Sequence, residues 1–126
     1  MSRAWPRELR VQRSDRTLTI AFDDGETYVL PAEYLRVMTG SALDRGHGAG
    51  DRPPVAGKQG VGISAITPIG RYAVRIAFDD GHDTGLYSWD ALQELGFDRE
   101  RLWAKYLSDL ERQGLSRAPM GATLRL

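Results

Sequence analysis

IAFDDG at residues 20–25 returns unchanged as IAFDDG at residues 76–81, and each copy closes a run of alternating apolar residues. Leu18, Ile20 and Phe22 precede the first turn; Tyr72, Val74, Ile76 and Phe78 precede the second. Side chains two apart share one face of a strand, so both runs predict half-buried strands. Asp-Asp-Gly supplies short polar side chains and tolerance of positive φ, the requirements of a tight hairpin turn. The first copy should return antiparallel over residues 26–30, with Tyr28 and Leu30 pointing into the core. A short helix is then expected over residues 31–38. Pro31 suits its first turn, Glu33 the positive end of its dipole, and Tyr34, Leu35 and Met38 one face. After the second copy, Ser88 is a good N-cap for a helix through Leu95, with Leu92 and Leu95 inward and Gly96 as a left-handed stop. With one residue of slippage, Glu33 and Leu35 align with Asp90 and Leu92. A strand–turn–strand–helix unit is thus used twice, either by internal duplication or by convergence on one hairpin-to-helix geometry.

Working outward, residues 1–5 read as a flexible lead-in, with Trp5 and Pro6 marking where the chain joins the fold. Leu9 and Val11 alternate with Arg10 and Gln12 as a first strand, with a turn at Ser14 and Asp15. Residues 44–62 contain six glycines and two prolines and read as a long surface loop. That length without regular structure is unusual in a compact domain, which makes the loop a candidate for function. Residues 63–66 predict a short strand and Thr67, Pro68, Ile69 and Gly70 a turn. Asp98 should cap the longest helix, residues 99–113, in which Leu102, Trp103, Tyr106, Leu107 and Leu110 form an apolar stripe and Gly114 is the stop. The fold class is therefore α+β, one domain over residues 6–114, with antiparallel hairpins, short helices and a longer C-terminal helix packed on the sheet. Residues 115–126 are expected to be a weakly ordered tail whose removal leaves the fold intact.

Composition narrows the function. With 41% hydrophobic and 27% charged residues, a chain of 126 residues can bury a core unaided. Lys+Arg and Asp+Glu are both 17, so no excess positive charge attracts a nucleic acid backbone. Arg3, Arg7, Arg10, Arg13 and Arg16 are interrupted by Glu8 and Asp15 and suit the solvated side of an edge strand, a strand that also offers a route to a homodimer. The absence of cysteine excludes disulfides and thiolate chemistry from this chain alone. No apolar stretch has the length of a membrane span, and a cytoplasmic protein is expected.

Three clusters could carry chemistry: Gly81-His82-Asp83 with Tyr87, Arg45-Gly46-His47-Gly48 in the long loop, and the doublets Asp23-Asp24 and Asp79-Asp80. The doublets occupy turn positions where aspartate satisfies local backbone, and neither has calcium-loop spacing. The Gly57-Lys58 pair is followed by Gln59, where a phosphate-binding loop needs Ser or Thr. His47 and His82 are the two histidines, capable of acid–base or metal chemistry and equally of a structural hydrogen bond. Without a nucleophile or cofactor motif, they leave little machinery for catalysis. No cofactor is expected.

DDGETYVLPAEYLRVMTGSALDRGHG, PIGRYAVRIAFDDGHDTGLYSWDALQELG and the WAKYL helix resemble the small bacterial DUF971 family, which is similar to the N-terminal domain of gamma-butyrobetaine and trimethyllysine hydroxylases. The resemblance covers about residues 5–114, and its most specific pieces are Leu30-Pro31-Ala32-Glu33, Arg45-Gly46-His47 and Gly81-His82-Asp83 with Ser88-Trp89. It implies a domain that in the hydroxylases precedes a separate catalytic domain and binds a structural zinc through three cysteines and one histidine. The histidine corresponds to His82, and the cysteine positions fall near Thr39, Ser41 and Asp44. Asp44, His47 and His82 remain as weak metal candidates. Similar domains accompany P-loop scaffold ATPases of iron–sulfur cluster assembly, which implies a protein-binding or adaptor role. The expectation is a binding surface of Arg45, His47, His82, Asp83, Tyr87 and Trp89, with a metal- or small-molecule-binding protein centred on His47 and His82 as the alternative.

Overall fold

The computed structural model describes residues 5–38 and 54–118, and they form two three-stranded antiparallel sheets and three helices. Strands β1 (Pro6–Gln12), β2 (Thr17–Phe22) and β3 (Thr27–Pro31) lead into helix α1 (Ala32–Met38). Strands β4 (Ile63–Ile69), β5 (Ala73–Phe78) and β6 (Gly85–Ser88) lead into α2 (Trp89–Phe97), and α3 (Arg99–Gln113) follows. The strand orders are β1-β2-β3 and β4-β5-β6, which gives each IAFDDG run the central position in its sheet. One continuous core draws on both sheets and all three helices. Leu18, Ile20, Phe22 and Leu30 come from the first sheet, Val74, Ile76, Phe78 and Tyr87 from the second, and Tyr34, Leu35, Leu92, Leu95, Leu102, Tyr106 and Leu110 from the helices.

The repetition extends well beyond the hexapeptide. Leu9 pairs with Ile20 as Ile66 pairs with Ile76, and a register shift interrupts Pro6 to Glu8 just as one interrupts Ile63 to Ala65. Such a shift puts an extra residue into one strand and bends it, and both halves carry it at the same place. Each turn preceding the central strand sends a carbonyl to the first residue of the helix that follows. Ala32 N–H donates to Arg16 O at 2.8 Å, and Trp89 N–H donates to Tyr72 O at 3.0 Å. The four-residue connection 13–16 corresponds to the three-residue connection 70–72, and the tip at 23–26 to the longer tip at 79–84. The frame is held while the connections vary.

Several local expectations are corrected. β4 runs through Thr67 and Pro68 to Ile69 instead of turning there. It is an edge strand, so a proline without an N–H is tolerated. Pro31 likewise ends β3 and does not begin α1. Gly96 lies inside α2 and has no positive φ; a Cβ there would stand 2.4 Å from Tyr28 Cγ, so close packing of helix on strand explains the glycine. Within the stripe of α3, Leu102, Tyr106 and Leu110 are buried, Trp103 is half-buried and Leu107 exposed. Ser88 caps α2 through Ala91 N–H at 3.0 Å, and Gly114 ends α3 at φ 69°, as the sequence predicts.

The contacts of the domain continue past Gly114. Leu115 packs on the core, Ser116 O and Arg117 O accept from Gly57 N–H and Gln59 N–H, both at 2.9 Å, and Arg117 pairs with Glu33. The described part of the glycine-rich stretch is therefore fastened, with Val55 O also accepting from the Tyr106 hydroxyl at 2.5 Å. No helix among the described residues is long and apolar enough to cross a membrane.

Candidate functional site

The two Asp-Asp-Gly tips share one set of hydrogen bonds, which separates their scaffold from what is added to it. Asp23 N–H donates to Trp5 O and Asp23 Oδ1 accepts from Trp5 N–H; Asp79 makes the same pair with Gly62, at 2.9 and 3.0 Å. Asp24 Oδ1 accepts from Glu26 N–H at 2.9 Å, and Asp80 Oδ1 accepts from His82 N–H at 3.0 Å. Gly25 and Gly81 N–H donate to Phe22 and Phe78 carbonyls, both at 3.1 Å, from φ values of 92° and 95°. The first aspartate of each doublet clamps the start of the neighbouring strand, and the second closes the turn. Both are structural in this sense.

The outer oxygens differ. Asp24 Oδ2 has a long contact of 3.5 Å from Gln93 Nε2. Asp80 Oδ2 accepts from Arg36 Nε at 2.9 Å and Lys58 Nζ at 2.6 Å, with the three side chains between 14% and 23% exposed. Burial opposes ionisation of Asp80, but hydrogen bonds from Lys58, His82 N–H and Arg36 outweigh it and hold its pKa at about 2. Two cations, Arg36 and Lys58, thus lie beside His82, facing the carboxylates of Asp80 and Asp83.

His82 occupies the position of Glu26 in the first hairpin, and its ring lies 6.2 Å from that of Phe78. Its Nε2 is buried and, among the described residues, has no hydrogen-bond partner. Desolvation, then the charge of Arg36, pushes its pKa below the ordinary 6.5 against the opposing pull of Asp80 and Asp83. The imidazole is therefore neutral near pH 7, with a nitrogen able to take a hydrogen bond or a ligand.

The other expected surface residues do not all converge. Asp83 is exposed at the same tip. Tyr87 is 0% exposed, and its hydroxyl donates to Leu35 O at 2.5 Å, so it fixes α1 against β6 from within the core. Trp89 sits at the opposite end of the sheet, where its indole N–H donates to Arg71 O at 2.7 Å. The six-residue β5 separates it from the His82 tip by roughly 20 Å at about 3.3 Å per residue. Grouping Tyr87 and Trp89 with His82 on one face is thereby corrected: alternation sends Tyr87 inward, and Trp89 follows the strand to its far end. Asp44, Arg45 and His47 lie outside the described residues. Arg36 and Lys58, absent from the sequence-based site, are brought to Asp80 from 44 and 22 residues away in sequence, and no local motif marks either.

The family model for the N-terminal region of gamma-butyrobetaine hydroxylase-like proteins matches residues 9–93. The chain belongs to this family. A crystal structure of a DUF971-family protein of unknown function from Acidithiobacillus ferrooxidans is similar to it, with 34% identity and a TM-score of 0.61 over 72% of this chain and 91% of that one. Two structures solved in solution by NMR share 40% identity and TM-scores of 0.78 with it, covering 99% of this chain and 98% and 96% of theirs. No curated protein matches. The family resemblance expected from the sequence is borne out, and so is the α+β fold. A zinc centre of three thiolates and one imidazole does not fit a chain without cysteine. Among the described residues no group of three or more His, Asp or Glu side chains could hold a metal ion.

Proposed function

We propose that this family member is a non-enzymatic cytoplasmic binding domain that recognises a protein partner through the face around the second hairpin tip, where Arg36, Lys58, Asp80, His82 and Asp83 meet. One observation carries the reading. The two tips close with the same backbone bonds, and the second, longer one adds a paired-cation cluster and an imidazole with a nitrogen unsatisfied among the described residues. A buried polar atom without a partner is uncommon and is explained when a bound molecule completes it. The setting in iron–sulfur cluster or metalloenzyme maturation rests on the domain company of the resemblance.

A photo-cross-linking amino acid placed at position 83, and separately at position 26 of the first tip, tests the reading in cell extract. A discrete adduct at position 83, missing at position 26 and abolished by Arg36→Glu, supports it. Equal labelling at both positions, or none at position 83, overturns it.

The Nε2, unpartnered among the described residues, also favours a second reading, a metal- or small-molecule-binding site centred on His82 with His47. Calorimetric titration of untagged protein with zinc and with ferrous iron distinguishes it: binding tighter than millimolar that His82→Ala removes supports the metal form of that reading, and no such binding disposes of it.

A further inference from the structure

Lys58 reaches Asp80 from a segment that is itself held in place by the chain's C-terminal side. Gly57 N–H donates to Ser116 O and Gln59 N–H to Arg117 O, so the two bonds bracket Lys58 in the sequence. Lys58 O accepts from Val61 N–H at 3.0 Å and closes a tight turn, after which Gly62 is clamped by Asp79. Residues 57–62 are thus fixed on one side by the second hairpin and on the other by residues 116–117.

The Arg117 side chain extends the connection to α1. Its Nε donates to Glu33 Oε2 at 2.7 Å and its Nη2 to Glu33 Oε1 at 2.8 Å, a two-pronged pairing that lysine cannot reproduce. The guanidinium carbon stands 5.3 Å from the centre of the Trp103 ring, which supplies a second support from α3. Glu33 is 8% exposed and lies three residues before Arg36 on the same helix. One residue therefore joins the helix that carries Arg36 to the segment that carries Lys58, and these are the two cations on Asp80.

We infer that residues 115–118 are a strap that sets Lys58 against Asp80, with Arg117 as the positioning residue, and that the binding face is complete only when the strap is seated. This deepens the binding-face reading above and rests on it for its purpose, but the geometry is tested without a partner. The measurements are amide hydrogen exchange at Gly57 and Gln59 and the NMR signal of the Lys58 ammonium group, in the full-length chain.

Arg117→Ala should accelerate exchange at both amides by about tenfold or more, as for local opening, and should remove the Lys58 ammonium signal. Asp80→Asn should remove the ammonium signal and leave both amides protected. Glu33→Gln, a milder change, should reproduce the Arg117→Ala pattern at smaller amplitude and covers the case in which Arg117→Ala does not fold. Unchanged Lys58 and amide signals in both strap variants overturn the inference. So does a uniform loss of protection that includes β2 and β5, because Arg117 would then support global stability alone. These outcomes do not depend on cross-linking at position 83, so the strap and the binding face fail separately.

Discussion

His82 and Asp80 both lose stabilising interactions as the solution becomes acidic, in different ranges. Burial and Arg36 lower the folded pKa of His82, so the unfolded chain takes the proton more readily. Its contribution to stability is complete above the ordinary 6.5 and is lost as pH falls through the depressed folded value. Asp80 adds a second acid range between 3.8 and about 2, where its pairing with Lys58 and Arg36 is protonated away. His82→Gln should therefore flatten the loss of stability between pH 7.5 and pH 5, measured as urea midpoints, while leaving the loss below pH 4 in place. Asp80→Asn should destabilise the protein by about 1–2 kcal/mol at pH 7, because two neighbouring cations lose their carboxylate and the turn keeps an acceptor. At this scale the sequence is legible where the chemistry is local. A DDG turn predicts the aspartate that caps its own backbone, whereas the clamp of Asp79 on Gly62 and the approach of Arg36 depend on packing between distant segments.

At the scale of elements, helix α2 and the two hairpins depend on their glycines for different reasons. Gly96→Ala places a methyl group against the root of the Tyr28 ring, which has no flexible end to swing away, and should destabilise by about 1–3 kcal/mol, with partial relief from Tyr28→Ala in the same chain. Gly25→Ala and Gly81→Ala meet no neighbouring atom, so only backbone strain acts. The two substitutions should destabilise by similar amounts, about 1 kcal/mol each. Chemical denaturation reads all three, and a large inequality between Gly25→Ala and Gly81→Ala would break the equivalence of the tips. Strand and helix periods are visible in the sequence, including both strands of the IAFDDG runs. Their ends are less visible: Pro68 reads as a turn until β4 is known to lie at an edge, and Gly96 reads as a stop until Tyr28 is known to lie beneath it.

The molecule as a whole is closed by contacts between segments far apart in the sequence. Glu33 and Arg117 are 84 residues apart, and Tyr34 and Tyr87 each send a hydroxyl across the core to the other half's helix, to Leu95 O at 2.6 Å and Leu35 O at 2.5 Å. Truncation after Gly114 should accordingly lower stability by about 2–4 kcal/mol, because the mostly buried Glu33 carboxylate loses its partner and Trp103 its cover. Urea midpoints of the full and shortened chains compare directly. From the sequence, residues 115–126 read as a weakly ordered tail whose removal leaves the fold intact, and the cost in stability is not legible there, since Pro119 and Gly121 look like a tail and a single arginine carries no sign of its partner.

The unequal tips, 23–26 and 79–84, bear on how such a molecule can change. Pairing resumes beyond each tip, with Leu18 opposite Leu30 and Val74 opposite Tyr87, so the longer second tip is absorbed without disturbing the strands. Asp83 is exposed and lies beyond the bonds that close the turn. A short foreign peptide inserted between Asp83 and Thr84 should be carried on an intact domain, which makes this tip a natural point for evolution, or an engineer, to graft a new recognition sequence.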